Sequence, residues 1–595
     1  MRVHKIPRGK ALVAGVAALA LVLTACSSSK SSNGGSTAGA SSSTNNSATS
    51  GTKGTGNLAT CATSPNTCNK AATKPGGQVS YVLEKTISGW NINNANSNTF
   101  EFAEVMDGIL PAVYNASPDL KPFLNTDLMV SATQTNADPQ TLVYVVKPNA
   151  NWSDGQPIDI KDFLYGWKTQ DPAQCPKCVA ASTSGYASIK SMTGSSDGRT
   201  ITVVMKTPFT DWQSMFGSLY PAHVAAAHGN ITTPAGLADT FNNYFDLTTP
   251  TYSGGPFMVK SYTKDTSVTE VPNPTWYGAT KSSLTQVNFR IITEQTQEVP
   301  ALQNNEVQAI YPQPNQDIVQ SVGNVQGVDS YLGKGLTWEH LDFNEKNPLL
   351  ADKVLRTAIF TAVNRQQIIS KTIGQFVPGA TPLGNHMYVP GQDGYTDNVT
   401  ASGQGSGDLA KAKAMLTGAG YTGVGTALKT AGGKDVNIRC SFTTGNVLRS
   451  QTCVLLQNQL AGLGIKVTPT PLTSLGKALA SGNFDMIIFA WVGTPFVTAG
   501  AQQIFELAGG NDYGMNNDPA MEAMINQAAT TSGDPAKVKS LMNQADVALT
   551  ADAYNLPLFQ KPTYIASYSN IANIRDNATS VGPPYNIQEW GQRSS

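Results

Sequence analysis

The sequence predicts an α/β fold, and three observations carry that prediction. Helix-spaced and strand-length apolar segments alternate through the second half of the chain, as they do when helices cover a sheet. Phe484 to Val492 is a nearly unbroken apolar run of strand length, the pattern of a strand buried on both faces. At 595 residues the chain is also long enough for two or more domains and a large buried core.

The order begins with a segment that is not part of the fold. Arg2, Lys5, Arg8 and Lys10 form a basic start, Ala11 to Leu23 an apolar stretch too short to span a bilayer, and small residues follow, as in a secretory signal. Leu23-Thr24-Ala25-Cys26 at its end resembles the lipobox of bacterial lipoproteins, in which the cysteine is acylated and becomes the mature N-terminus. The alternatives are a plain secretory signal or a chance cysteine. From Ser27 to about Thr60 the chain is nearly all Ser, Gly, Thr, Asn and Ala, with no apolar periodicity and no means of forming a core. Such a tether is a flexible coil spanning roughly 30 Å.

The folded body opens with the strand Gly76 to Leu83 and the short helix Glu101 to Leu110. Leu142 to Lys147 reads as a strand, Asn151 to Pro157 as a turn, and Ile160 to Lys168 as a helix. Ile201 to Lys206 alternates as a strand behind Ser196-Asp197-Gly198. The turn Tyr252 to Phe257 leads into a strand whose hairpin partner is Val268 to Val271, so strands dominate the first half. Helical spacing then appears from Lys353 to Ile373, Leu409 to Leu416, Val447 to Leu460, Met521 to Ala529 and Ala536 to Leu549, with strands at Ile465 to Thr468 and Phe484 to Val492. No internal repeat is visible.

Lys+Arg and Asp+Glu are equal at 40 each and charged residues make up 13%, about half the usual share, so the footprint of a nucleic-acid binder is missing. No stretch approaches the roughly eighteen apolar residues of a membrane span, and membrane attachment is expected only through Cys26. The other six cysteines fall into sequence-local pairs, Cys61 and Cys68, Cys175 and Cys178, Cys440 and Cys453; three local disulfides are the simplest connectivity for an exported protein. Cys175-Pro-Lys-Cys178 could instead be a redox motif or half a zinc site, but it has neither a thioredoxin-like setting nor a second metal-spaced pair.

Catalytic motifs are absent. The five histidines are His4, His223, His228, His340 and His386; His223 and His228 lack the four-residue spacing and intervening Glu of a zinc helix, and there is no nucleophile elbow or phosphate loop. Scattered carboxylates such as Asp342 and Glu345 read as solvated surface. No enzyme, cofactor or metal is expected. Binding fits better: Trp491 ends the apolar run Phe484 to Ala490, where α/β sheets open their ligand crevices. Tyr252, Trp90 and the Asn-rich segment around Asn94 are further candidates near turns or strand ends, with ordinary packing as the alternative.

Four blocks together resemble the extracytoplasmic solute-binding proteins of ABC importers, in the large peptide-binding family 5: TLVYVVKPNANWSDGQPIDIKD (141–162), SGGPFMVK (253–260), HLDFNEKNPLLADKVLRTAIFTAVNR (340–365) and FDMIIFAWV (484–492). The resemblance covers nearly the whole mature chain and implies a periplasmic-binding-protein-like fold of two lobes that close over a solute. The divisions it implies are a signal (1–25), a lipidated tether (26–75), lobe I (76–335) with an extra subdomain at about 115–245, lobe II (336–556) and a C-terminal return to lobe I (557–595). The implied partners are a small solute, peptide in the first instance, and ABC permease subunits, with the protein a monomer anchored on the outer face of the cell membrane. In peptide receptors of the family the tryptophan matching Trp491 lines the pocket, and an aspartate three residues later pairs with the peptide ammonium. Here that position is Thr494, and Ile488 stands where some oligopeptide receptors have a basic residue. Modified peptides, sugars and metal chelates are therefore alternative ligands, and an anchored envelope hydrolase is the alternative of another class, against which the empty motif search speaks.

Overall fold

In the computed structural model, which describes residues 53–594, an eleven-stranded sheet runs through the body. The expected signal, Cys26 and most of the tether lie outside the described residues. The first half supplies β1 (Gln78–Leu83), α1 (Phe100–Met106), β2 (Met129–Ala137), β3 (Gln140–Val146), α2 (Ile160–Gln170), β4 (Ile189–Gly194), β5 (Thr200–Met205), β6 (Phe257–Thr263), β7 (Ser267–Pro272) and β8 (Gln286–Ile291). The second half supplies β9 (Val328–Phe343), α3 (Lys353–Ala362), α4 (Arg365–Lys371), α5 (Leu409–Gly418), β10 (Asn437–Thr443), α6 (Val447–Ala461), β11 (Lys466–Leu472), β12 (Met486–Trp491), α7 (Val497–Phe505), α8 (Pro519–Thr530), α9 (Pro535–Asp552) and β13 (Asn555–Tyr568).

The sheet runs β6-β7-β8-β1, then the short strand Ala309–Ile310, then β13-β9-β12-β10-β11. A second, four-stranded sheet has the order β2-β3-β5-β4 and is antiparallel throughout. The fold is the expected α/β class in two lobes, and β9 and β13 join them. Their antiparallel ladder pairs Val328 to Lys334 with Tyr568 to Pro562, slips, and resumes with Trp338 opposite Gln560. Beyond the slip, β12 adds to the other side of Trp338 to Phe343. Gly335, Leu336 and Thr337 interrupt the ladder across from Lys561, and only the half of β9 beyond this interruption pairs with β12 as well as with β13.

Each half has its own core. One apolar cluster gathers first-half side chains with Ile565, Ile571, Ile574, Ile587 and Trp590 from the C-terminus. A second packs Leu341, Phe343, Ile488 and Leu558 beneath α3, α5 and α6. A third sets Leu336 and Trp338 against Phe505, Met521, Ile525 and Leu549 of α7 to α9. Two of the sequence blocks have structural explanations. Trp152 is fully buried and donates its indole N–H to Asp162, which also closes a capping box with Asp159 at the start of α2. A side chain on Gly255 would collide with the Gly108 carbonyl at 2.3 Å, so the turn before β6 needs glycine there.

The structure corrects four readings. Residues 53–75, expected in the tether, belong to the body: Lys53–Gly54 pairs with β9, and Leu58, Cys61 and Cys68 are buried in the first core cluster. The helical pattern from Lys353 to Ile373 is two helices, because Val363 turns extended and Asn364 caps α4 by accepting from Gln367 N. The helix expected to reach Leu110 ends at Met106. The longest strands, β9 and β13, lie in the half read as mainly helical. The three local cysteine pairs are disulfides, with S–S separations of 2.02, 2.04 and 2.00 Å.

Candidate functional site

β10 and β12 run parallel, and their carboxyl ends point toward the interrupted stretch of β9. That is where an α/β sheet leaves a crevice, since the chain departs in opposite directions from neighbouring strands. The N-termini of α6 and α7 open at the same end, following Thr443 and Trp491 respectively.

Trp491 is the last residue of β12 and sits opposite Trp338. Its indole lies nearly parallel to His340 (centroids 5.9 Å, 7°) and to Tyr513 (6.0 Å, 11°), with Phe489 edge-on at 5.0 Å. The alternation of β9 and β12 puts Trp338, His340, Phe489 and Trp491 on one face. Phe489 and His340 are buried while Trp491 keeps partial exposure, so the stack ends in an accessible ring. Below it His340 Nδ1 pairs with Asp342 at 2.6 Å, which fixes the imidazole. Thr494 lies in the turn that follows, where its Oγ1 accepts from Phe496 N at 2.8 Å. The hydroxyl remains free to donate. Ile488 is fully buried in the second core cluster, on the face turned away from the Trp491 stack.

A charged cluster occupies the other face beside the ladder slip. Arg449, in the first turn of α6, donates Nε–H to Glu339 Oε1 at 2.5 Å, and Lys561 Nζ stands 4.0 Å from Glu339 Oε2. Lys561 also donates to Gln313 Oε1 at 2.6 Å, which accepts from Asn446 as well. Burial lowers the Lys561 ammonium to about 8, against the opposing pull of Glu339. Burial alone would raise the Glu339 carboxyl, but the Arg449 and Lys561 charges hold it below its ordinary range. Sequence reasoning missed this cluster; the only local signal was a glutamate between Trp338 and His340 in a segment otherwise suited to a core.

The other sequence candidates are placed elsewhere. Trp90 is 4% exposed, with Tyr262 and Phe102 edge-on to its ring, and Tyr220 donates to its carbonyl. Tyr252 is 5% exposed among Trp152, Tyr220 and Phe245. Asn94 is 1% exposed, accepts from Asn96 N in an Asx turn and donates to Asn242. All three pack within the first half of the chain, whereas Trp491 and Thr494 share one loop.

Residues 124–513 match the family described as bacterial extracellular solute-binding proteins, family 5 Middle. The oligopeptide-binding protein OppA of Mycobacterium tuberculosis is 30% identical over 519 residues, covering 85% of this chain and 84% of that protein. Among solved structures, the periplasmic EDTA-binding protein EppA superposes with a TM-score of 0.83 at 35% identity, covering 89% of this chain and 99% of the other. The oligopeptide-binding protein AppA of Bacillus subtilis, in complex with a nonapeptide, shares the fold with a TM-score of 0.76 at 18% identity, covering 88% and 100%. With a family match over more than half its length and a full-length relative at this identity, the chain belongs to the family 5 bacterial extracellular solute-binding proteins, the binding components of ABC importers.

Proposed function

We propose that this chain is a lipid-anchored receptor that captures a peptide between its lobes and hands it to an ABC permease. The observation that carries the proposal is Trp491: a partly exposed indole at the carboxyl end of β12, held by the His340 and Tyr513 rings beside the ladder slip. A flat ring on a rigid strand offers apolar contact area at little entropic cost. Thr494, in the adjoining turn, supplies a neutral hydrogen-bonding group. The hinge lies at Gly335 to Thr337 and Lys561, close to the divisions expected at 335/336 and 556/557, with Cys26 and the tether holding the body near the permease.

A second reading, a metal chelate or modified peptide as ligand, is favoured by Thr494 itself. With no carboxylate at this position, a free peptide ammonium would lack its counter-charge in a desolvated site. EppA, whose name specifies EDTA, is also a more identical relative than OppA. A thermal-shift screen of the mature domain against tripeptide mixtures and nickel–EDTA decides between them. Stabilisation by peptides supports the first reading, stabilisation by the chelate alone supports the second, and no response to either contradicts both.

A further inference from the structure

The loop that carries Trp491 and Thr494 runs directly into α7, and α7 lacks a cap of its own. Its N-cap residue is Phe496, whose side chain accepts nothing. The first N–H groups of a helix need partners and carry partial positive charge. The partner comes from far away in the chain. Asp211, just after the four-stranded sheet, accepts with Oδ2 from Thr498 Oγ1 at 2.5 Å and from Ala499 N at 2.9 Å. The preceding residue does the converse for the neighbouring helix. Thr210 N donates to Ala529 O at 2.7 Å, and Thr210 Oγ1 lies 3.0 Å from Ala528 O and 2.8 Å from Thr531 O, carbonyls in the last turn of α8 and just past it.

Thr210-Asp211 therefore gives donors to a helix C-terminus and a carboxylate to a helix N-terminus in one stroke. Both helices belong to the core built on Trp338, whereas Thr210 and Asp211 follow the core of the first half. Two further contacts reinforce the join. Gln503 Nε2 of α7 donates to Ala181 O at 2.9 Å, and Ala499 and Phe496 pack against the first-half cluster.

We infer that Thr210-Asp211 is a closed-state latch and that Asp211 is a positioning residue for the ligand loop, capping α7 from the opposite lobe only when the lobes have met. The inference rests on the receptor reading above. In the open state α7 begins uncapped and the Trp491–Thr494 loop is less constrained; closure supplies the cap and fixes the loop at once. Bound solute is thus released more slowly without any contact between Asp211 and the solute.

The test compares wild type, Asp211→Ala, Asp211→Asn and Thr210→Val in the otherwise intact mature protein. Stopped-flow tryptophan fluorescence with nickel–EDTA and with a tripeptide mixture gives the rates. Loss of a cap is expected to raise the dissociation rate about tenfold in Asp211→Ala while the association rate stays within about twofold. Asp211→Asn, whose amide oxygen can still accept, recovers most of the loss, and the unfolding midpoint of the ligand-free protein does not move. Spin labels at Lys161→Cys and Val547→Cys, both at exposed positions, report the closed fraction independently of any probe. A closed fraction lowered by Asp211→Ala and restored by Asp211→Asn, with no response to either probe, keeps the latch and sinks the receptor reading. An unchanged closed fraction, or a dissociation rate equal to wild type, overturns the latch. A fast-release phenotype of Asp211→Ala that Asp211→Asn fails to restore also overturns the capping role.

Discussion

Replacing Lys561 with Met tests the electrostatics beside the ladder slip. Lys561 is 9% exposed, and burial lowers its ammonium from an ordinary 10.5 to about 8 even though Glu339 lies 4.0 Å away. Its charged form therefore costs stability at neutral pH. A shift of two and a half pH units corresponds to about 3 kcal/mol. The sign follows from proton counting. Between about pH 8 and 10.5 the unfolded chain holds a proton on Lys561 that the folded chain has released, so stability rises with pH across this window and is lost again as pH falls through 8. Methionine keeps the apolar stem and removes the charge. It also removes the bond to Gln313, worth about 1–2 kcal/mol, although Gln313 Oε1 keeps Asn446 as a donor. The variant is expected to be more stable than wild type by about 1–2 kcal/mol at pH 7 and to lose this advantage toward pH 10. The buried tyrosines, whose hydroxyls burial pushes up, oppose the trend only at higher pH. Urea midpoints measured from pH 7 to 10 provide the assay. Wild-type and variant curves that run parallel through the window would refute the reasoning, since the titration would then belong to another group.

Three further outcomes are expected. Removing the Cys440–Cys453 disulfide by Cys440→Ala with Cys453→Ala opens a 13-residue loop between two fully buried positions and should cost about 3 kcal/mol, read by urea unfolding. Thr494→Asp should improve binding of peptides with a free N-terminus by about tenfold or more over their acetylated forms, because a charge-assisted bond is worth about 1.5–3 kcal/mol; equal gains for both forms would place position 494 away from the ammonium. Cys26→Ser should release a folded, ligand-competent protein from the membrane while uptake falls, as loss of tethering lowers the local concentration at the permease. Uptake unaffected by that change would make the tether incidental.

The α/β class and the candidate loop were legible because both depend on local pattern. Met486 to Val492 is apolar throughout since β12 is covered on both faces, and Trp491 marks where that cover ends. β9 was not legible for the opposite reason. The register slips between Lys334 and Trp338, even-numbered Leu332 before the slip and odd-numbered Leu341 and Phe343 after it enter the same core, and Trp338 to Phe343 is buried on both faces, so no single period of two survives along the strand. The Glu339–Arg449–Lys561 cluster escaped notice because its members are distant in sequence and each alone resembles a surface charge. Asp211 is a similar case: its partners at Thr498 and Ala499 are nearly 300 residues away, and the sequence around it shows only a short polar turn. Trp90, Tyr252 and Asn94 were singled out from their positions near turns, but a turn residue packs inward as readily as outward. In this fold the Asn91 to Asn98 segment and Tyr252 pack against residues 220 to 246.

The central claim is that a solute binds at the carboxyl end of β12, against Trp491. Isothermal titration of the mature domain and of Trp491→Ala, with whichever of the tripeptide mixture or nickel–EDTA stabilises the wild type, tests it most directly. Loss of a buried aromatic contact should weaken binding by at least tenfold with little change in the unfolding midpoint of the free protein. Equal affinities for the two proteins would contradict the account and move the site elsewhere in the cleft.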